Sequence, residues 1–189
     1  MNRLPRLALA SSSPRRREIL SSLGWSFVTV ASDVDETRRS GEQPRDMALR
    51  LAELKSSSAS LLVDLWTVGA DTVVDVDGVP LGKPSDREDS LRMLRMLSGR
   101  RHLVHTGVSV ASGGIILASG VETTSVFFGA LTDNEIRNFA ESGIGDDKAG
   151  AYAIQGKGAL LVERLEGCYY NVVGLPVFRL AAMLKDLTE

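Results

Sequence analysis

The segment Ser11-Ser12-Ser13-Pro14-Arg15-Arg16 sets hydroxyl groups beside adjacent guanidinium groups at a strand-to-helix junction. A helix N-terminus offers unpaired N–H groups and a partial positive charge, and both attract phosphate. Arginine adds paired donors that match phosphate oxygens. Placing Arg15, Arg16 and Arg17 at that end costs stability unless an anion is bound. The alternative is a solvated basic helix start beside an ordinary serine cap. The glycines of a P-loop are missing.

Two acidic segments stand apart from this one in the chain. Asp33-Val34-Asp35-Glu36 is either a solvated loop or part of a site for a hard cation such as Mg²⁺ or Mn²⁺. Such a cation takes one or two carboxylates together with substrate phosphates. Asp71 lies in Gly69-Ala70-Asp71-Thr72-Val73-Val74, an otherwise apolar strand. A carboxylate there is costly unless a metal, a lysine or a set of hydrogen bonds compensates it. Acceptance of structural N–H bonds is the plainer role. Asp75 and Asp77 flank a hairpin turn. Lys83, in Gly82-Lys83-Pro84, and Lys55, on a helix face, are either phosphate-binding point charges or exposed lysines.

The run Asp147-Lys148-Ala149-Gly150-Ala151-Tyr152-Ala153-Ile154-Gln155-Gly156 is rich in small residues that let a ligand approach the backbone. The Gln155 amide presents a donor and an acceptor, which fits the N3–H and O4 edge of uracil or thymine. A structural Ω-loop is the alternative. His102 and His105 are three apart on one strand and so face opposite ways, a poor metal pair. No Ser-His-Asp order stands out, and Cys168, the single cysteine, has no paired base signal.

These residues need elements to position them. Leu7 to Ala10 reads as a short buried strand, and Ser13-Pro14 as an N-cap with proline at the first helical position. That helix carries Ile19, Leu20 and Leu23 on one side and ends at Gly24. Ser26 to Val30 is a strand, and Ala31 to Gln43 a polar loop. A helix opens near Pro44 with Met47, Leu51 and Leu54 on one face, then meets a serine-rich stretch at Ser56 to Ser60. Serine competes for backbone hydrogen bonds, which weakens the last turns. Val68 to Val76 is a strand closed by the Asp77-Gly78 turn. Asp86 to Leu97 is a helix, and strands span His102 to Ala111 and Ile115 to Phe128. Thr132 and Glu135 form a capping box. A glycine-rich loop runs from Gly143 to Gly158, a strand from Ala159 to Glu163, and Pro176 starts the last helix with Val177, Leu180 and Leu184. Alternating strands and helices with a central hairpin predict an α/β fold with a mixed sheet. No linker or repeat divides the chain, so residues 1–189 are expected to form a single domain.

With 189 residues, 43% hydrophobic and 24% charged, the composition is that of an ordinary globular protein. The net charge of −2 argues against a dedicated nucleic-acid binder but not against a local basic pocket for a small anion. The apolar stretch Leu4 to Ala10 is short and leads into serines and arginines, unlike a signal peptide. No apolar run approaches the roughly 18 residues of a membrane span. A cytoplasmic, reducing location is expected.

Taken together, the segments LASSSPRRREIL, VDE ending at Glu36, GADTVV at Asp71, LGKP at Lys83, MLRMLSGR, DKAGAYAIQG and NVVGLP at Asn171 resemble the Maf family of nucleoside triphosphate pyrophosphatases, from Leu7 to about Leu184. The resemblance implies an elongated mixed β-sheet with flanking helices and two lobes around a central cleft, as in inosine-triphosphate-pyrophosphatase-like folds. It implies hydrolysis between the α- and β-phosphates with a divalent cation, Mg²⁺ or Mn²⁺. By resemblance the catalytic acidic residue is Asp71, the residues tied to substrate choice are Arg15, Thr72 and Gln155, and further site positions are Ser11, Arg16, Glu36, Lys55 and Lys83. Glu36 and Asp71 would hold the cation. The AGAYAIQG version of the loop looks like the dTTP/UTP branch, with the 7-methyl-GTP branch and a nucleotide-binding regulator of septum formation as alternatives. A homodimer is also within what the resemblance implies.

Overall fold

The computed structural model describes residues 6–61 and 63–189. The start of the Leu4 to Ala10 stretch, at Leu4 and Pro5, lies outside them.

The first strand, β1 (Leu7–Ala10), is buried along its whole length and pairs in parallel with β2 (Phe27–Val30) on one side and β3 (Trp66–Val76) on the other. Helix α1 (Pro14–Ser22) and helix α2 (Pro44–Ser60) supply the crossovers these parallel pairs require. The rest of the sheet is antiparallel. β3 turns through Asp77 and Gly78, both at positive φ, into β4 (Val79–Leu81), then pairs with β5 (Arg101–Ser112). β5 pairs with β6 (Ile115–Phe128), and β6 with β7 (Val162–Glu166). The sheet is therefore mixed, in the order β2-β1-β3-β5-β6-β7 with β4 beside β3.

Helix α2 lies so close to the sheet that only glycine fits beneath it. A Cβ at Gly69 would come within 2.3 Å of the Ala52 carbonyl oxygen, and one at Gly107 within 2.1 Å of that of Ala48. The inner face of α2 is accordingly made of small residues, Ala48, Ala52, Ser56, Ala59 and Ser60, together with Leu51. This corrects the expected face of Met47, Leu51 and Leu54, since Met47 and Leu54 are only half-buried. The serine run does not end the helix. Ser57 donates back to the Glu53 carbonyl, and the single Ser56 hydroxyl proton lies between that carbonyl, at 3.1 Å, and Ser109 Oγ on β5, at 2.8 Å.

Two clusters of buried side chains lie on the face of the sheet opposite α2, since both draw on the same alternate positions of β3 and β5. One gathers Val74, Leu94, Val104, Phe128, Ile136 and Tyr152, using α3 (Arg87–Leu97) and α4 (Asp133–Glu141). The other gathers Leu9, Leu20, Val68, Val110, Ile154 and Leu180, using α1 and the C-terminal helix. Thr132 and Glu135 form the expected capping box at α4. Two expectations fail, and one element was not foreseen. Leu23 is exposed, because α1 ends at Ser22. The last strand begins at Val162 and not at Ala159, because Gly156–Leu160 winds into a 3₁₀ turn. A short helix, α5 (Tyr169–Val173), precedes α6 (Val177–Asp186) and has no clear periodic signal in five residues. No described helix is long and apolar enough to cross a membrane.

Candidate active site

Between the two clusters lies a cleft of about 800 Å³. Ser11, Arg15, Arg16, Glu36, Lys55, Asp71, Thr72, Lys83 and Gln155 all line it. They come from the end of β1, the first turn of α1, the loop before α2, α2 itself, β3, the segment after β4 and the loop before β7. The α/β crossovers explain the gathering, since the chain leaves β1 and re-enters β3 beside it.

At the centre is a buried lysine. Lys55 Nζ lies 2.6 Å from Asp71 Oδ1 and 2.6 Å from Glu36 Oε1. Lys55 is 8% exposed, whereas the Glu36 side chain is largely open to solvent. Burial raises the Asp71 pKa above the ordinary carboxylate value, and the cations Lys55 and Arg16 oppose that rise. The carboxylate that looked costly in an apolar strand is thus compensated by lysine and arginine.

The loop that brings Glu36 in is pinned by Glu42. Its carboxylate accepts from Arg50 Nε at 2.5 Å, Arg50 Nη2 at 2.8 Å and the Arg39 N–H at 3.0 Å. The hydrogen bonding from Arg50 holds the Glu42 carboxyl down to about 2.

Arg16 is fixed on three sides. Nε donates to the Gly174 carbonyl at 2.8 Å, Nη1 to Ser11 Oγ at 3.1 Å and Nη2 to Thr72 Oγ1 at 3.2 Å. Thr106 Oγ1 donates to the Asn171 carbonyl at 2.8 Å, so the 3.0 Å contact between Thr72 and Thr106 must have Thr72 as donor. One directional chain therefore runs from Arg16 through Thr72 and Thr106 to the α5 backbone. Asn171 closes it by donating Nδ2 to the Val104 carbonyl at 2.9 Å and to Thr124 Oγ1 at 2.8 Å. Desolvation lowers the Arg16 pKa, but an arginine stays charged at neutral pH. Gly174, Thr106 and Asn171 carry no site role in the sequence reading. The one sequence signal near them is the NVVGLP segment, which holds Asn171 and Gly174 and carries part of the family resemblance.

Ser13 is the residue before α1, yet its side chain makes no cap. Its N–H instead donates to Ser11 Oγ at 3.2 Å. The start of α1 thus lacks a side-chain acceptor of its own and faces the cleft with Arg15 beside it. Among the described residues, Arg15, Lys83 and Gln155 make no side-chain hydrogen bond or ion pair, which leaves them available to a ligand. Lys148, outside the expected set, also lines the cleft and pairs with Asp147. His102 and His105 go to separate partners, Tyr152 and the Asp75–Thr123 pair, and do not meet.

An α/β protein with a polar cleft between two cores, rimmed by cations around a carboxylate pair, is the class defined so far. The chain matches the Maf-like protein family over residues 6–187, and it belongs to that family. A protein of Pelotomaculum thermopropionicum named dTTP/UTP pyrophosphatase is 49% identical over 183 residues, covering 95% of each chain. One of the same name from Geobacter metallireducens is 46% identical over 186 residues, covering 96% of each. Among solved structures, a HAM1 protein from Coxiella burnetii is similar over 65% of this chain and 72% of its own, with 15% identity and a TM-score of 0.47.

Proposed function

We propose that this protein hydrolyses dTTP and UTP between the α- and β-phosphates, with water as co-substrate, to the nucleoside monophosphate and pyrophosphate. One observation carries the reading. Arg15, Arg16, Lys55 and Lys83 surround the Glu36–Asp71 pair in a single cleft that Gln155 also lines. The names of relatives 46–49% identical over nearly the whole chain support the substrate choice.

A divalent cation fits the residues present. Glu36 and Asp71 already converge on one cationic nitrogen, and their hard oxygen donors suit Mg²⁺ or Mn²⁺. Such a cation would take its remaining ligands from substrate phosphate oxygens and water. When bound, the cation supplies charge neutralisation and Lewis acidity at the phosphates.

The chain's own groups do the rest. Arg16, held rigid by Gly174, Ser11 and Thr72, presents its remaining N–H groups to a phosphate. Arg15 and Lys83 add charge along the leaving pyrophosphate. The Asp71 carboxylate accepts the proton of the attacking water. Burial raises its proton affinity above that of a solvated aspartate, which makes it a stronger base, and the Lys55 ammonium 2.6 Å away favours its charged form. The open Gln155 amide meets the O4 and N3–H edge of the pyrimidine. Positioning and electrostatics dominate such a phosphoryl transfer.

The test is pyrophosphate release from a panel of dTTP, UTP, dCTP, purine triphosphates and 7-methyl-GTP with Mg²⁺ or Mn²⁺. The highest kcat/KM is expected for dTTP and UTP. Binding without turnover, or a preference for 7-methyl-GTP, would overturn the proposal.

A further inference from the structure

Tyr152 and Ile154 are two residues apart, yet they enter different cores. Tyr152 packs in the cluster with Phe128 and Leu94, and Ile154 in the one with Leu9 and Val68. The segment between them crosses from one lobe to the other along the cleft wall, and Ala153 and Gln155 line the cleft from it. Its backbone is tightly constrained. Ala151 has a φ of 60°, a left-handed conformation that a non-glycine residue adopts at a cost. A Cβ on Gly158 would fall 1.6 Å from the Ala153 carbonyl oxygen, and one on Gly145 1.9 Å from that of Ala151. A strained backbone persists only where its surroundings over-determine it.

One polar side-chain tie holds this segment. The Tyr152 hydroxyl lies 2.7 Å from His102 Nε2 on β5. Among the described residues it is the only side-chain hydrogen bond that residues 149–158 make. His102 is 2% exposed and Tyr152 5%, and both rings meet Phe128 edge-on, at 5.1 and 4.8 Å between centroids. Burial favours the neutral form of each partner, so the bond is a neutral one in a dry setting, where a lost partner is costly.

We propose that His102, acting through the Tyr152 hydroxyl, is a positioning residue for base selection: it fixes the cleft-wall segment that presents Gln155. This rests on the dTTP/UTP pyrophosphatase reading proposed above. A glutamine amide favours uracil or thymine over cytosine only while its oxygen and nitrogen keep one order, and a rotated amide suits cytosine instead. Gln155 is exposed, and among the described residues its side chain makes no hydrogen bond, so the placement of its backbone decides how the amide reaches the base edge, and a loosened segment lets it meet cytosine as readily as thymine. His102 touches no substrate and is not a catalytic residue.

The experiment uses Tyr152→Phe, which keeps the ring edges and removes the bond. The ratio of kcat/KM for dTTP to that for dCTP is expected to fall about tenfold, the order of one buried hydrogen bond, through a higher KM for dTTP with kcat little changed. A merely structural role would reduce both substrates equally and leave the ratio intact, which would overturn the proposal. In a Gln155→Ala background, Tyr152→Phe should change the ratio no further, and an additive loss would count against it. Amide hydrogen exchange over residues 149–158 provides an arm independent of activity. Faster exchange confined to this segment in Tyr152→Phe supports the tie, and unchanged exchange overturns it. If the wild-type protein does not turn over dTTP, the function reading fails by itself, and the exchange arm still decides the positioning role.

Discussion

The two ends of the cleft hold their residues by different physics. Around Asp71 the structure is ionic: one ammonium shared by two carboxylates, and a guanidinium tied at three points. Around Gln155 it is neutral: a glycine-packed strap, one phenol and one imidazole. Ionic contacts suit the region proposed to receive phosphate charge, because the cations are already desolvated and aimed. A neutral clamp suits the region proposed to tell one pyrimidine from another, where shape and hydrogen-bond order decide. Changes at the first end should therefore act on turnover, and changes at the second on selection.

The sharpest break in that contrast is Asp71→Asn. It keeps the volume and removes the proposed base and cation ligand. Turnover of dTTP is expected to fall about 10³-fold or more, within the range for a lost general base, while the unfolding transition persists. Near-wild-type kcat would remove Asp71 from its role. The wild-type pH profile adds a sign. Burial raises the Asp71 pKa, so the carboxylate takes up its proton at a higher pH than a solvated aspartate does. The acid limb of kcat/KM should accordingly lie above the ordinary carboxylate range.

Lys55→Met should come next. It removes the charge that holds both carboxylates and keeps an unbranched apolar stem of similar length. A loss of about 10²-fold in turnover is expected, from a phosphate contact and from misplaced carboxylates. The lysine also opposes protonation of Asp71, so the acid limb should move to still higher pH. A metal titration of the free protein sharpens the point. With the competing ammonium gone, Mn²⁺ should bind more tightly to the Glu36–Asp71 pair, read by electron paramagnetic resonance. Weaker binding would mean that Lys55 helps to assemble the cation site and does not compete for it.

Much of this arrangement was legible in the chain, for identifiable reasons. Asp71 declared itself by its cost within an apolar strand, and Arg15 and Arg16 by their conflict with a helix N-terminus. The Asp77-Gly78 turn and the Thr132 capping box are local rules, and both hold. What escaped depends on distant partners. Arg16 meets the Gly174 carbonyl 158 residues away, and no local pattern encodes that contact. The inner face of α2 is set by Gly69 and Gly107 on strands that follow it, so its largest apolar residues were the wrong guide. The histidine spacing correctly set His102 and His105 apart but said nothing of Tyr152, which approaches His102 from a loop 50 residues on. The strand expected at Ala159 began late because Gly158 packs on Ala153, again a tertiary demand.

The smallest effect expected belongs to the neutral end and appears as stability, not rate. Burial pushes the His102 pKa down from 6.5 to about 4. In the unfolded chain the imidazole takes up a proton as pH falls through about 6.5, while the folded protein resists protonation until about 4. Between those values the unfolded imidazole binds more protons, so the His102 contribution to stability falls as pH is lowered across that window, while the raised Asp71 pKa works in the opposite direction. The upper bound on the loss is roughly 3 kcal/mol, from the size of the shift. Glu42, with its carboxyl held at about 2, adds a separate loss only below the ordinary glutamate range, as pH drops past about 4.5. Urea unfolding at stepped pH should resolve the two, with the upper window flattened in His102→Gln and the lower one retained. A His102→Gln protein that still loses stability between pH 6.5 and 4 would show that another group titrates there, and the neutral character assigned to this end of the cleft would have to be given up.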